Sequence, residues 1–260
     1  MAGKSLKMHI DTRGVCTLTL NRRKRANALN GELVGRLVMA LDQVRADPDV
    51  RLLILSGAGD VFCSGMDLHW VRKMAEADFY LNYDDAEQLA RVLDRLAGLD
   101  VPTLARVNGP AFGAGIGLIA ACDIALAAST ARFSFREVRL GLVPAVIAPY
   151  IITAVGKRQA QRWILTGMDF DARAAKRAGL VHKRVPPKRL DHAVQREAEK
   201  LLLGGPAALL EAKALFACCV APQSISPQKL AARLAEIRTS PEGREGVHAF
   251  IEKRKPDWQL

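Results

Sequence analysis

Aromatic residues are scarce in this chain: eight Phe, three Tyr and three Trp make up only 5% of its 260 residues. Proteins that read single-stranded RNA stack bases on aromatic rings, so this scarcity, with no RNP-like motif, argues against nucleic acid as the partner. Cysteine is sparse as well. The five residues Cys16, Cys63, Cys122, Cys218 and Cys219 are an odd count, with no CxxC pair and no His at metal spacing. They support neither a disulfide framework nor a zinc or other metal site. No stretch approaches the roughly 18 apolar residues of a membrane span, and Met1–Asp11 lacks the apolar core of a secretory signal. A cytoplasmic protein without a membrane partner is the expectation. Acidic residues fall short of basic ones, 27 against 38, leaving a formal charge of +11. Nucleic acid, acidic lipid and a polyphosphorylated cofactor would all answer that charge, and a plain basic surface needs no partner.

What is present has the balance of a globular protein, half hydrophobic and a quarter charged. Val15–Leu20 alternates and is rich in β-branched residues, and Arg51–Ser56 is a short apolar run ending at a Gly-rich turn; both read as strands. Between them Leu33, Leu37, Leu41 and Val44 recur at helical spacing over Gly31–Ala46, with Asn30 as N-cap and Pro48 beyond the end. Strand, helix and strand in that order predict a parallel βαβ unit. The theme continues with a helical pattern over Asp84–Ala97, a strand at Thr103–Val107, a small apolar helix at Gly113–Ala121 and a strand at Ile124–Ala128. From about residue 186 only helices are predicted, over Pro187–Leu203, Pro206–Cys219, Pro227–Arg238 and Pro241–Arg254, each with a proline near its start. Their apolar faces must be buried on their own core or on another subunit. The basic, proline-containing His182–Arg189 reads as a linker, dividing the chain into 1–185 and 186–260.

Three places carry candidate chemistry. Val61–Leu68 (VFCSGMDL) is a glycine-containing loop between a strand and a helix, where a backbone N–H can be left unpaired and negative charge is favoured. Asn108–Gly117 (NGPAFGAGIG) surrounds the start of a buried helix with small residues that permit close approach of a ligand or another backbone. It is GxGxG, so it matches neither a dinucleotide fingerprint nor a P-loop. Glu137 stands among Phe133, Phe135 and Val138, where apolar surroundings raise a carboxyl pKa towards the range useful for acid–base work. Each feature alone has an ordinary reading: a strand-to-helix turn, close helix packing, a surface glutamate.

Together they resemble a known family. Leu20-Asn21-Arg22 with Asn27-Ala28-Leu29-Asn30, then FCSGMDL, then NGPAFGAGIG running into Ala121-Cys122-Asp123-Ile124, then Glu137 with Leu140-Gly141 and Pro144, and finally Phe250–Lys255 are similar to the crotonases, in the family's order and spacing. The similarity runs from about Val15 to Lys255. It implies an α/β spiral of ββα turns followed by a helical C-terminal region that forms homo-trimers, often paired into hexamers. It also implies an acyl-CoA substrate, with coenzyme A as the thioester carrier and no permanently bound cofactor. The oxyanion hole would be the backbone N–H groups of Met66 and Ala114. Coenzyme A would lie along Arg25, Ala26 and Ala28, near Ser64, Asp67 and Leu68. Phe250 and Lys253, from a neighbouring subunit, would meet the adenine and the 3′-phosphate.

One departure matters. Two-carboxylate hydratases of this family carry a glutamate where this chain has Gly117, so Glu137 is left as the sole acid–base group, and the space vacated at Gly117 is expected to admit a bulkier acyl group. Hydration of a short, branched 2-enoyl-CoA through Glu137 is the expected activity, with isomerisation or decarboxylation as alternatives. Ser134–Ile151 is similar to the methylglutaconyl-CoA hydratase branch of leucine breakdown. A dicarboxylic acyl chain would need a cation, for which Arg132, Arg136 and Arg139 are candidates. A serine hydrolase on this fold is disfavoured, because there is no GxSxG elbow.

Overall fold

The computed structural model describes residues 4–220 and 226–259; Met1–Gly3, at the head of the stretch read above for a signal, lie outside the described residues. In chain order the elements are β1 (Leu6–Ile10), β2 (Val15–Leu20), α1 (Gly31–Ala46), β3 (Leu52–Gly57), α2 (Leu68–Ala75), α3 (Phe79–Ala97), β4 (Thr103–Val107), β5 (Ala111–Phe112), α4 (Ala114–Ala120), β6 (Ile124–Ala128) and β7 (Arg132–Ser134). There follow α5 (Ala148–Val155), α6 (Lys157–Thr166), β8 (Phe170–Asp171), α7 (Ala172–Ala178), β9 (Lys183–Val185), α8 (Leu190–Leu202), α9 (Pro206–Val220), α10 (Pro227–Thr239) and α11 (Pro241–Glu252).

A six-stranded sheet runs β1-β2-β3-β4-β6-β9, antiparallel only at β1–β2. A three-stranded sheet runs β5-β7-β8. Single parallel bridges, Leu29 with Met66 and Cys63 with Ala111, carry the same winding into the neighbouring loops. Each turn of the chain therefore lays one strand in the large sheet, one segment in the small layer and then a helix, which is the ββα spiral.

The central strands are predominantly apolar because both of their faces are covered. Leu53, Leu55, Ala105, Val107, Ala125 and Ala127 point into the main core with α1, α3 and α4. Leu52, Ile54, Leu104, Leu126 and Ala128 point the other way, against Leu190, Val194 and Ala198 of α8. Helix α1 has the range read from its spacing, and Asn30 caps it by accepting a hydrogen bond from Leu33 N–H. Helix α3 begins five residues earlier than its apolar pattern, because Asp78 caps an exposed first turn.

The segment His182–Arg189 is not a free linker. His182 N–H donates to Ala125 O, and Lys183–Val185 pair with Leu126–Ala128 as the sheet's last strand. Its basic side chains hid it from a search for apolar alternation, yet charge is common on an exposed sheet edge. Among the described residues no helix is long and apolar enough to cross a membrane.

Candidate active site

The two glycine-containing loops leave the C-terminal ends of β3 and β4 and run side by side. Phe112 N–H donates to Cys63 O at 3.0 Å, and Phe62 N–H donates to Pro110 O at 3.0 Å. Asn108 bolts them together: its Oδ1 accepts from Gly57 N–H at 3.1 Å, and its Nδ2 donates to Gly59 O at 2.7 Å and Val61 O at 3.2 Å. A third segment joins below. Leu29 N–H donates to Gly65 O and Asp67 N–H to Leu29 O, so the intervening Met66 N–H is turned to the side away from Leu29.

Met66 N–H has no acceptor among the described residues, and neither has Ala114 N–H at the first position of α4. The loops that carry them are in contact, since a Cβ added at Gly65 would stand 3.0 Å from Phe112 O and 4.0 Å from Ala114 N. Glycine is required there twice over, because φ of Gly65 is +90° and that of Gly113 is +47°. Cys63, buried between the loops, is no nucleophile: burial pushes its thiol up to about 12.

Glu137 opens the short turn Glu137–Leu140 after β7. Its Oε1 lies where a side chain at Gly113 would stand, which places the carboxylate next to Ala114. Oε2 is buried without a hydrogen-bond partner, and burial raises the carboxyl above its ordinary value. The arrangement combines two unpaired N–H donors with one desolvated carboxylate. It can polarise a carbonyl oxygen and move a proton at a nearby carbon.

A match to the enoyl-CoA hydratase/isomerase family model extends over residues 11–260. The chain belongs to that family. It is 33% identical over 251 residues to 2,3-dehydroadipyl-CoA hydratase of Escherichia coli K12, covering 94% of this chain and 95% of the relative. Among solved structures, an enoyl-CoA hydratase from Shewanella pealeana superposes with a TM-score of 0.93 at 36% identity, covering 98% of this chain and 96% of that one. Pseudomonas aeruginosa AtuE also gives 0.93, at 33% identity, covering 98% and 100%. The chain is thus an enzyme of the crotonase superfamily, whose members act on coenzyme A thioesters.

Within the family frame, the remaining site candidates divide into two groups. Arg25, Ala26 and Ala28 flank the first loop, and Ser64 N–H donates to Ala26 O at 3.0 Å, so Arg25–Ala28 and Ser64–Leu68 form one surface. Leu68 is exposed on it. Asp67 is buried: its carboxylate caps α2 through His69 N–H and pairs with Arg22 at 2.9 Å. Burial alone would raise that carboxyl, but Arg22 and the cap hold it below the usual range. Phe250 and Lys253 belong to the other group. Helix α11 is anchored near the N-terminal ends of the strands, where its Glu242 caps α9 at Ala207 and Ala208, and Arg51 reaches Trp258 O just beyond it. Among the described residues no hydrogen bond or ion pair joins α11 to the site loops of the same chain. Phe250 is 86% exposed.

Two features escaped sequence reasoning. Asn27 is fully buried at φ +56°, donating to Ala58 O and Val61 O and accepting from Arg22 N–H. The sequence marked it only as part of the Asn27-Ala28-Leu29-Asn30 stretch similar to the crotonases, with nothing to show which loops it would brace. The second is Ile147. The space at Gly117 is not vacant: a Cβ there would collide with Ile147 Cγ2, stand 2.9 Å from Ile147 Cβ and reach Leu93 Cδ2 at 3.7 Å. The expected extra room for an acyl group is therefore filled, because a branched side chain from the start of α5 takes up the volume that the glycine lacks.

Proposed function

We propose that the enzyme adds water to a 2-enoyl-CoA thioester, with Glu137 as acid and base and the backbone N–H groups of Met66 and Ala114 as the oxyanion hole. The observation that supports this reading is a pair of unpaired N–H groups on two loops in contact, with one buried carboxylate beside them. The thioester oxygen accepts from both N–H groups, which draws electron density from C3. Ionised Glu137 takes a proton from water as the oxygen bonds to C3, the C2–C3 π electrons move into the enolate, and the same carboxyl returns the proton to C2. Water is consumed, the thioester survives, and both additions come from one face.

Coenzyme A would run along Arg25, Ala26 and Ala28 past Ser64 and Leu68, with Asp67 shaping that surface through Arg22. Phe250 and Lys253 would complete the nucleotide end from a neighbouring copy, in a trimer or a dimer of trimers. The exposed Phe216, Leu234, Val247 and Ile251 on the C-terminal helices support such self-association. A short, branched or dicarboxylic acyl chain of the methylglutaconyl type is favoured. The hydratase named for a dicarboxylic thioester, among the relatives above, supports that class. Arg136 already pairs with Asp169, whereas Arg132 and Arg139 each donate only to a backbone carbonyl, Ala131 O and Thr166 O, which leaves those two as candidate cations for a distal carboxylate.

The test is a panel of straight, branched and glutaconyl-type enoyl thioesters with product stereochemistry. Activity on none of them would end the proposal. A second reading, double-bond isomerisation or decarboxylation, rests on there being a single carboxylate. Deuterium exchange at the α or γ carbon without water addition would favour it.

A further inference from the structure

Gly113, just before α4, and Gly117 within it lie one turn apart, and Gly117 N–H donates to Gly113 O at 3.2 Å. Their missing side chains therefore open two seats about one helical turn apart. One chain segment fills both. Glu137 sets its carboxylate in the first seat, and Ile147, ten residues on, sets its branched side chain in the second. Ile147 is 3% exposed, Leu93 reaches the same seat, and α4 itself (Ala-Gly-Ile-Gly-Leu-Ile-Ala) offers no polar side chain. One turn along from the catalytic carboxylate the second seat thus presents a hydrocarbon wall, and the carboxylate's own Oε2 has no partner.

We propose that Ile147, seated over Gly117, is a specificity-determining residue that divides turnover between water addition and simple proton transfer. The inference rests on the function proposed above and deepens it. Proton transfer between carbon and Glu137 needs only that one carboxylate. Water addition also needs a water oriented by further polar groups, commonly two to four for an ordered water, and Ile147 denies it any in the second seat. The wall therefore favours proton transfer relative to hydration, and a hydroxyl placed in the second seat shifts the balance towards hydration.

The experiment compares wild type, Ile147→Val and Ile147→Thr on one enoyl thioester in deuterated water, reading the ratio of hydrated product to α- and γ-carbon exchange. Val and Thr have the same shape, so their difference isolates the hydroxyl from the lost volume. The Thr variant is expected to raise the ratio by about fivefold, the factor that one ordinary net hydrogen bond supplies, while Val stays near wild type. Should the Thr variant not fold, Gly117→Ser combined with Ile147→Ala delivers the hydroxyl from the helix with compensating volume, and the same rise is expected. Folded variants whose ratio equals that of wild type overturn the inference while hydration by Glu137 stands. A wild type that neither hydrates nor exchanges any thioester overturns the proposed function and this inference with it.

Discussion

Glu137 and Gly117 show how much a single position decides. Replacing Glu137 by Gln keeps the shape and removes the acid–base group. Turnover should fall by about 10²–10⁴-fold while coenzyme A thioester binding, measured by calorimetry, stays close to wild type. The pH dependence has a definite sign. Burial raises the carboxyl, so the folded state holds its proton more tightly than the unfolded chain does. Its contribution to stability is present at low pH and is lost as pH rises through the raised value. Thermal melts should therefore show Glu137→Gln gaining on wild type as pH increases, and wild-type hydration, which needs the ionised base, should fall away on the acid side of that same value. At Gly117 even one methyl group meets Ile147. Gly117→Ala should destabilise by about 1–3 kcal/mol in denaturant titrations, the usual cost of overpacking a filled core.

The loops, more than the strands, assemble the site. Three separate segments, around Asn27, Val61–Met66 and Asn108–Ala114, are tied by isolated backbone bridges and two asparagine side chains rather than by a continuous sheet. Asn27→Ala removes three hydrogen bonds from a fully buried position and should cost about 3 kcal/mol. Asn27→Gly accommodates the positive φ equally well and should not rescue it, which chemical denaturation of the two variants will separate. Asparagine was visible in the sequence at both positions. Its role was not, because the carbonyls that it binds at Ala58, Gly59 and Val61 lie some 30 to 50 residues away along the chain and become neighbours only when the spiral closes.

Across the whole molecule, polar side chains tie the C-terminal helices to the sheet. Arg51, just before β3, donates to Leu202 O, Gly204 O and Trp258 O, while Lys213 on α9 pairs with Asp123 at 2.7 Å before β6. Arg51→Ala should loosen this seat by about 2–3 kcal/mol, with faster amide exchange in α9–α11 and little change in β2–β4. If neighbouring copies complete the nucleotide site, the same variant should also weaken self-association in sedimentation and raise KM for the thioester more than it lowers kcat.

By itself, the sequence determined the elements whose signal is local: the parallel βαβ order, the cap of α1, the four C-terminal helices and the three chemistry-bearing stretches. Periodicity, capping and turn residues act over a few positions, so they can be read without coordinates. The strand at Lys183–Val185, the bolts made by Asn27 and Asn108, and the filling of Gly117 by Ile147 were decided only in three dimensions. Each depends on residues distant in the chain meeting across the spiral, and a missing side chain marks a space without saying which neighbour will occupy it.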